Sequence, residues 1–279
     1  MALDGQTDLA IQVRGELPCP GSGVPGHARQ PLNVIRNHLN QMNREELRNS
    51  FDRAVIDQIA IADRALAVAD AIGQTPPGSL HFRGLFHHLL TTQGDAVVLA
   101  LGKLFDPPPR KYPTRSIRGF LAVLRDLGPS VHIYRRHEIE QFVAQWSGQT
   151  ESEVSTLSAT ALTSAFVSAY EAYLDSGVNG NGDGPAVVLE RIRARRDKVV
   201  AHNEDWTPSA EERASWKDAR HMLEVAKQFA GLVGPAYLDF HHLAQDGTYM
   251  LTRQSQMLGT QAERLIQTVN RSLRAGDSG

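Results

Sequence analysis

The 279-residue chain is long enough for one large or two small domains with an ample core, and its 41% hydrophobic and 22% charged residues fall in the range of ordinary soluble proteins. A formal net charge of −2 argues against a protein that coats nucleic acid through a broad basic surface, since phosphate binding rests on many lysines and arginines; any RNA site has to be a local positive cluster. The single cysteine, Cys19, excludes an internal disulfide, and no run approaches the ~18 consecutive apolar residues of a membrane span, so the chain reads as cytoplasmic with no membrane partner.

Residues 1–31 hold Pro18, Pro20, Pro25, Pro31 and several glycines with little periodicity, which predicts a flexible N-terminal leader. Residues 32–275 read as a single helical domain, followed by a short tail at 276–279. From Asn43, the residues Leu47, Phe51, Val55, Ile59, Ala62, Leu66 and Ala69 recur at helical spacing, one long amphipathic helix ending at Gly73. Gln74 to Gly78 is a turn. Leu80 to Phe105 resumes helical spacing with an irregularity at Gly94, and Asp106-Pro107-Pro108-Pro109 stops it.

His87 and His88 are neighbours and so point about 100° apart; no second ligand pair stands at metal spacing, and they read as solvated or core-edge side chains. The Phe-His-His-Leu string recurs at Phe240 to Leu243 in unmatched surroundings, and four histidines gathered on one metal is the rival reading. Arg110 to Arg115 is a basic loop, after which Ile117, Phe120, Leu121, Leu124 and Leu127 form a short helix closed by Gly128-Pro129. Pro129 to Trp146 reads as another helix, its Tyr134-Arg135-Arg136-His137-Glu138 patch a surface face with local ion pairs. Glu151 to Leu174 reads as one helix with Val154, Leu157, Ala161, Phe166, Ala169 and Tyr173 inward. Ser176 to Gly184, SGVNGNGDG, has no Gly-Lys-Ser/Thr and no preceding strand, so it is a hinge and not a phosphate loop.

Pro185 suits a first helical position and opens a stretch to Trp206, PAVVLERIRARRDKVVAHNEDW, that combines an apolar stripe, a dense basic cluster and a candidate general acid/base. At about 100° per residue, Ile192 and Val199 mark the middle of the apolar face, with Val188, Leu189 and Val200 beside them. Arg191, Arg193, Arg195, Arg196 and Lys198 surround one acidic residue, Asp197. Arg196 falls roughly 40° from the centre of the apolar face, while Arg193 and Lys198 point well away. A guanidinium cannot shed its charge, so on a packing face Arg196 has to find a carboxylate, carbonyls, a partner chain or a bound anion.

His202 lies about 120° round from Arg196, in the last turn before the stop signals Asn203, Glu204, Asp205 and Pro208. There the helix dipole favours the imidazolium by about 0.3–1 kcal/mol. Glu204 and Asp205 act in the same direction, towards the protonation balance that proton transfer near neutral pH requires. Ser209-Ala210-Glu211-Glu212 is a capping box opening a helix through Trp216, Met222, Leu223, Val225, Ala226, Phe229, Leu232 and Val233. Gly234-Pro235 kinks or breaks it, and a last helix from Tyr249 to Leu273 carries Leu251, Met257, Leu258, Leu265, Ile266 and Val269. No run alternates as strands do, so the fold class is all-α, a bundle of long helices with antiparallel neighbours.

The run Arg196-Asp197-Lys198-Val199-Val200-Ala201-His202 resembles the R-x(4–6)-H motif of the HEPN superfamily, in particular the R-(N/D)-K-x-x-A-H form of its abortive-infection U-type branch. A looser resemblance lies upstream in Asp95 to Pro107, DAVVLALGKLFDP. The resemblance implies an all-helical, dimeric, metal-independent endoribonuclease, active in phage defence or toxin-like growth control, with RNA as substrate and an antitoxin or regulatory protein as a further partner. It implies neither a metal nor another cofactor. By that resemblance Arg196 and His202 are the catalytic pair, with Arg195, Asp197 and Lys198 at the substrate. Arg195 also satisfies the spacing and remains an alternative partner for His202, and the tyrosine that some relatives carry two residues after the histidine is Glu204 here. The same residues also suit a non-catalytic interaction module, with Arg196 paired to a buried glutamate and His202 capping its helix, or an inactive RNA-binding relative.

Overall fold

The computed structural model describes residues 44–74, 83–107, 115–127, 132–179, 182–201, 209, 212–241 and 250–276. The expected leader at 1–31, Cys19, most of the Arg110 to Arg115 loop, His202 with its stop signals, and the second half of the Phe240 to Leu243 string lie outside those residues.

The long first helix forms as its spacing predicts, as α1 (Arg44–Phe51), a π-helical stretch Asp52–Ile56, and α2 (Asp57–Gly73). Its predicted inward residues, from Leu47 to Ala69, are all buried. The π-helical turn shifts the phase of the stripe, so that Ala54, Val55 and Ile56 are buried in succession. Helix α3 (Arg83–Phe105) runs unbroken through Gly94; the irregularity expected there is absent because Gly94 is buried against Trp216 and Arg195 and keeps helical geometry. Helix α4 (Ile117–Leu127) buries Ile117, Phe120, Leu121 and Leu124.

Three expected helices differ in extent. Of the helix expected from Pro129, residues 132–135 are not helical and α5 spans Arg136–Ser147, since Tyr134 donates its backbone N–H to the Ala236 carbonyl at 2.7 Å and is drawn off the helical path. The predicted Glu151 to Leu174 helix is two, α6 (Glu151–Ser155) and α7 (Ala159–Leu174). Hydroxyl side chains explain the break: Thr150 and Glu153 close a capping box on α6, Ser155 and Thr156 turn back onto carbonyls, and Ser158 accepts from the Ala161 N–H at 3.2 Å to start α7. Arg136 donates to the Ser155 and Leu157 carbonyls freed by that break, besides pairing with Glu140 at 2.5 Å. Ala161, expected inward, lies in the exposed first turn of α7.

The Gly-rich stretch forms a minimal antiparallel ladder, β1 (Val178–Asn179) on β2 (Gly182–Asp183), and Gly184 caps α8 (Pro185–Arg195) with Pro185 in its first turn as expected. Beyond it, a second π-helical stretch covers Arg196–Ala201. The Ser209 and Glu212 box forms, but residues 213–215 after it are not helical. The helix itself, α9 (Trp216–Val233), starts at a second box made by Ser215 and Asp218. Trp216, predicted inward, is therefore in a first turn and 39% exposed. At Gly234-Pro235 the chain continues as a buried π-helical turn, Gly234–Leu238, and ends at Asp239 with φ 52°. Helix α10 (Met250–Gly276) packs on α2, with Gly259 brought against the Ala67 carbonyl. Ile266 is buried, whereas Met257 and Leu265 stand 60% and 66% exposed.

One buried cluster extends from Leu47 to Leu238. At its centre Phe51, Phe120, Tyr170 and Phe229 join α1, α4, α7 and α9, with ring centroids 5.0 Å apart for Phe51 and Phe120 and 5.1 Å for Tyr170 and Phe229. The Tyr170 hydroxyl donates to the Val225 carbonyl at 2.9 Å, satisfying the polar atom that burial would otherwise orphan. Lys227 and Asp63 form a largely buried ion pair at 2.7 Å between α9 and α2. No helix of the described residues is long and apolar enough to cross a membrane.

Candidate functional site

Helix α8 buries Val188, Leu189 and Ile192 against α3 and α9, as its apolar stripe predicts. That packing lays the arginine cluster along the C-terminal half of α3. Hydrogen bonding changes to the i→i+5 pattern at Arg196, so the 100° wheel does not apply from Arg196 to Ala201, and the expected 120° to His202 lies outside the described residues. The cause is local: the motif sits on the widened turn itself.

The Arg196 side chain lies directly over Gly102 of α3, where an added Cβ would stand only 2.9 Å from Arg196 Cδ and Nη1. Its Nη1 donates to both oxygens of Asp106 at 2.6 Å, and its Nε donates to Asp197 Oδ1 at 2.7 Å. Asp197 first, and Asp106 after it, hold this guanidinium still more firmly protonated than an ordinary arginine. The side chain keeps 20% exposure, so one edge remains open. Asp106, just past the end of α3 and 34% exposed, takes the place that the non-catalytic reading gave to a buried glutamate.

Arg195 takes a different partner. Its Nη2 lies 3.5 Å from Asp95 Oδ1, beside Gly94 and the Trp216 ring. Arg193, expected to point well away, reaches back to donate to the Phe105 carbonyl at 2.8 Å, with Nε 3.9 Å from Asp106. Its long stem allows this, and the contact serves a helix end whose last carbonyls have no partner within the helix. Arg191 bridges Asp183 and Asp218, and Lys198 is exposed. Ser209 above all holds the Glu212 carboxyl below its ordinary range, with the Lys198 charge contributing.

The acidic partners were not singled out as site residues, although they lie within the second stretch that carried the resemblance. Gly102 and Asp106 follow Asp95 by seven and eleven residues, Asp106 just past the end of α3, which places each within about 20° of Asp95 on the helical surface. This face receives both arginines, Arg195 at its upstream end and Arg196 at its downstream end. A period of seven and eleven in small and acidic residues, within an otherwise apolar helix, was the available signal. Among the described residues no three histidine, cysteine, aspartate or glutamate side chains gather as a metal site, and His87 and His88 are exposed.

A family model described as AbiU2, of the HEPN type, matches residues 45–264. The chain belongs to the HEPN AbiU2 family. Among curated proteins and solved structures, none matches it significantly. In this AbiU2 chain the matched region takes in α1 through most of α10, and therefore both the arginine cluster and the aspartates it meets.

The close approach at Gly102 has a measurable consequence. Replacing it by alanine will displace Arg196 from Asp106, because the new methyl would overlap Cδ and Nη1 of a side chain already fixed at its far end. The cost is about 1–3 kcal/mol, typical of overpacking, and thermal unfolding of G102A beside the parent will read it. Unchanged stability together with unchanged function would show that Arg196 has no fixed place over α3.

Proposed function

We propose that this AbiU2 chain is a metal-independent endoribonuclease, with a role in phage defence or toxin-like growth arrest. The observation that carries the reading is Arg196: a permanently charged fork held over Gly102 by two aspartates, with one edge open, in a family whose members are often nucleases. RNA brings its own nucleophile. The 2′-hydroxyl attacks phosphorus, the bond to the 5′-oxygen breaks, and the products are a 2′,3′-cyclic phosphate and a 5′-hydroxyl. His202 takes the proton from the 2′-oxygen or delivers one to the leaving 5′-oxygen, and Arg196 holds the scissile phosphate as charge gathers on it. Arg195, Asp197 and Lys198 flank the phosphate, and a second copy of the chain completes the cleft.

An incoming phosphate has to compete with Asp106 and Asp197 for Arg196. That competition leaves room for an antitoxin or regulatory protein to govern access. A second reading rests on the same contacts: with three donated bonds already satisfied inside the chain, Arg196 could act only as the lock between α8 and α3 in a non-catalytic interaction module. The two readings separate in one experiment. The nuclease reading expects RNA cleavage that persists in excess chelator and tracks the dimer population measured by light scattering during size-exclusion chromatography. Folded, dimeric protein that generates no new RNA ends would favour the interaction module.

A further inference from the structure

The downstream end of α3 faces a second feature. A cleft of about 740 Å³ opens between the α1 and α2 segment on one side and Lys103 to Pro107 on the other, with Asn49, Arg53, Gln58, Lys103, Asp106 and Arg115 in its wall. This is the size of a small-molecule site and large enough for a nucleotide. Asp106 is shared: the carboxylate that holds Arg196 also lines this cleft.

Charge decides what the cleft suits. Arg53 and Lys103 are exposed and have no ion-pair partner among the described residues, and Arg115 adds a third cation. Against them stand Glu46 and Asp106, but Asp106 is already neutralised by the two-pronged Arg196 contact at 2.6 Å. In a chain of net charge −2, two unpaired cations facing one cleft mark a local anion site. Asn49 and Gln58 offer amide donors and acceptors to a sugar or base edge, and no aromatic ring among the described residues lines the wall.

We propose that this cleft is a subsite for a nucleotide flanking the cleaved position of a single-stranded RNA, with Arg53 and Lys103 on its phosphates. The proposal rests on the nuclease reading for what occupies Arg196, and it adds where the strand runs next: along the end of α3, from Arg196 past Asp106 towards α1. Arg53 and Lys103 are substrate-binding residues in this role and take no part in proton transfer.

The test pairs binding with cleavage. A fluorescein-labelled oligoribonucleotide is titrated with His202→Ala protein, with and without the double substitution Arg53→Gln and Lys103→Gln, across a salt series. Each phosphate contact on a single strand contributes about 0.7 to the slope of log K against log salt. Losing two should flatten the slope by about 1.4 and weaken binding about 25-fold at 0.1 M salt. A second double variant, Arg253→Gln with Arg264→Gln on α10, removes the same net charge outside the cleft and should leave the slope unchanged. In the parent background the cleft variant should raise KM far more than it lowers kcat. Equal affinity and slope for the two double variants, or unchanged KM in an active enzyme, would overturn the subsite while leaving the nuclease reading intact. RNA binding lost in the cleft variant of a chain that cuts nothing would leave the cleft an RNA-binding site but overturn its place beside a cleaved position together with the nuclease reading. A folded His202→Ala protein that binds no RNA would overturn the subsite.

Discussion

Arg196→Ala protein will cleave RNA about 10²–10³-fold more slowly than the parent, the loss seen when one preorganised donor to a developing oxyanion is removed. The side chain is fixed before substrate arrives: Gly102 leaves room for its stem, Asp106 takes Nη1, and Asp197 takes Nε. Such fixing is what preorganisation means physically, because no side-chain ordering is left to be done at the moment charge develops. Arg196→Lys should be nearly as damaging, since an ammonium cannot span Asp106, Asp197 and a phosphate with one planar fork. The pairs are partly open to solvent, Asp106 being 34% exposed, so their loss should cost only about 1 kcal/mol of stability or less. The defect should therefore appear in folded protein, as single-turnover rates beside thermal melts will show. Parental rates in Arg196→Ala would reduce this residue to a lock between α8 and α3.

The largest effect on stability is expected at Phe229. It is fully buried, and its ring lies 5.1 Å from Tyr170, 6.2 Å from Phe51 and 6.3 Å from Phe120. Four helices thus share one aromatic contact. Phe229→Ala removes the transfer energy of the ring and leaves a cavity that rigid neighbours cannot close, a loss of about 3–5 kcal/mol from a total that is typically only about 5–15 kcal/mol. The melting temperature should fall by roughly 6–20 °C. A shift of a degree or two would mean that Phe229 does not join these four helices at the centre of the bundle.

The helical class and most of the core were legible because burial follows period. Leu47 to Ala69, the α4 stripe and Met222 to Val233 were placed from spacing alone, and their inward residues are almost all buried or half-buried. What local pattern could not show was set by competing side chains and by distant partners. The breaks at Thr156 to Ser158 and before Trp216 come from hydroxyl and carboxylate caps, which act on one or two backbone groups and leave the apolar period nearly intact. The wheel placed Arg196 on the packing face, where it lies over Gly102, but it could not show that the turn from Arg196 to Ala201 is π-helical.

The candidate site was half legible. Arg196 was singled out because a guanidinium on a packing face needs a partner, and it has one. The identity of that partner could not be read from its own helix, since Asp106 lies ninety residues earlier and looked like a helix stop before a run of prolines. His202 lies outside the described residues, so its proposed role rests on the resemblance and the family membership.

The decisive measurement is therefore made on His202. Parent and His202→Ala proteins, each shown to be folded, are incubated with the same RNA in excess chelator, and the new ends are mapped chemically. Metal-independent catalysis at this histidine predicts cuts by the parent alone, each leaving a 2′,3′-cyclic phosphate and a 5′-hydroxyl. Equal cleavage by both proteins, or cuts leaving 5′-phosphate ends that disappear with chelator, would contradict it.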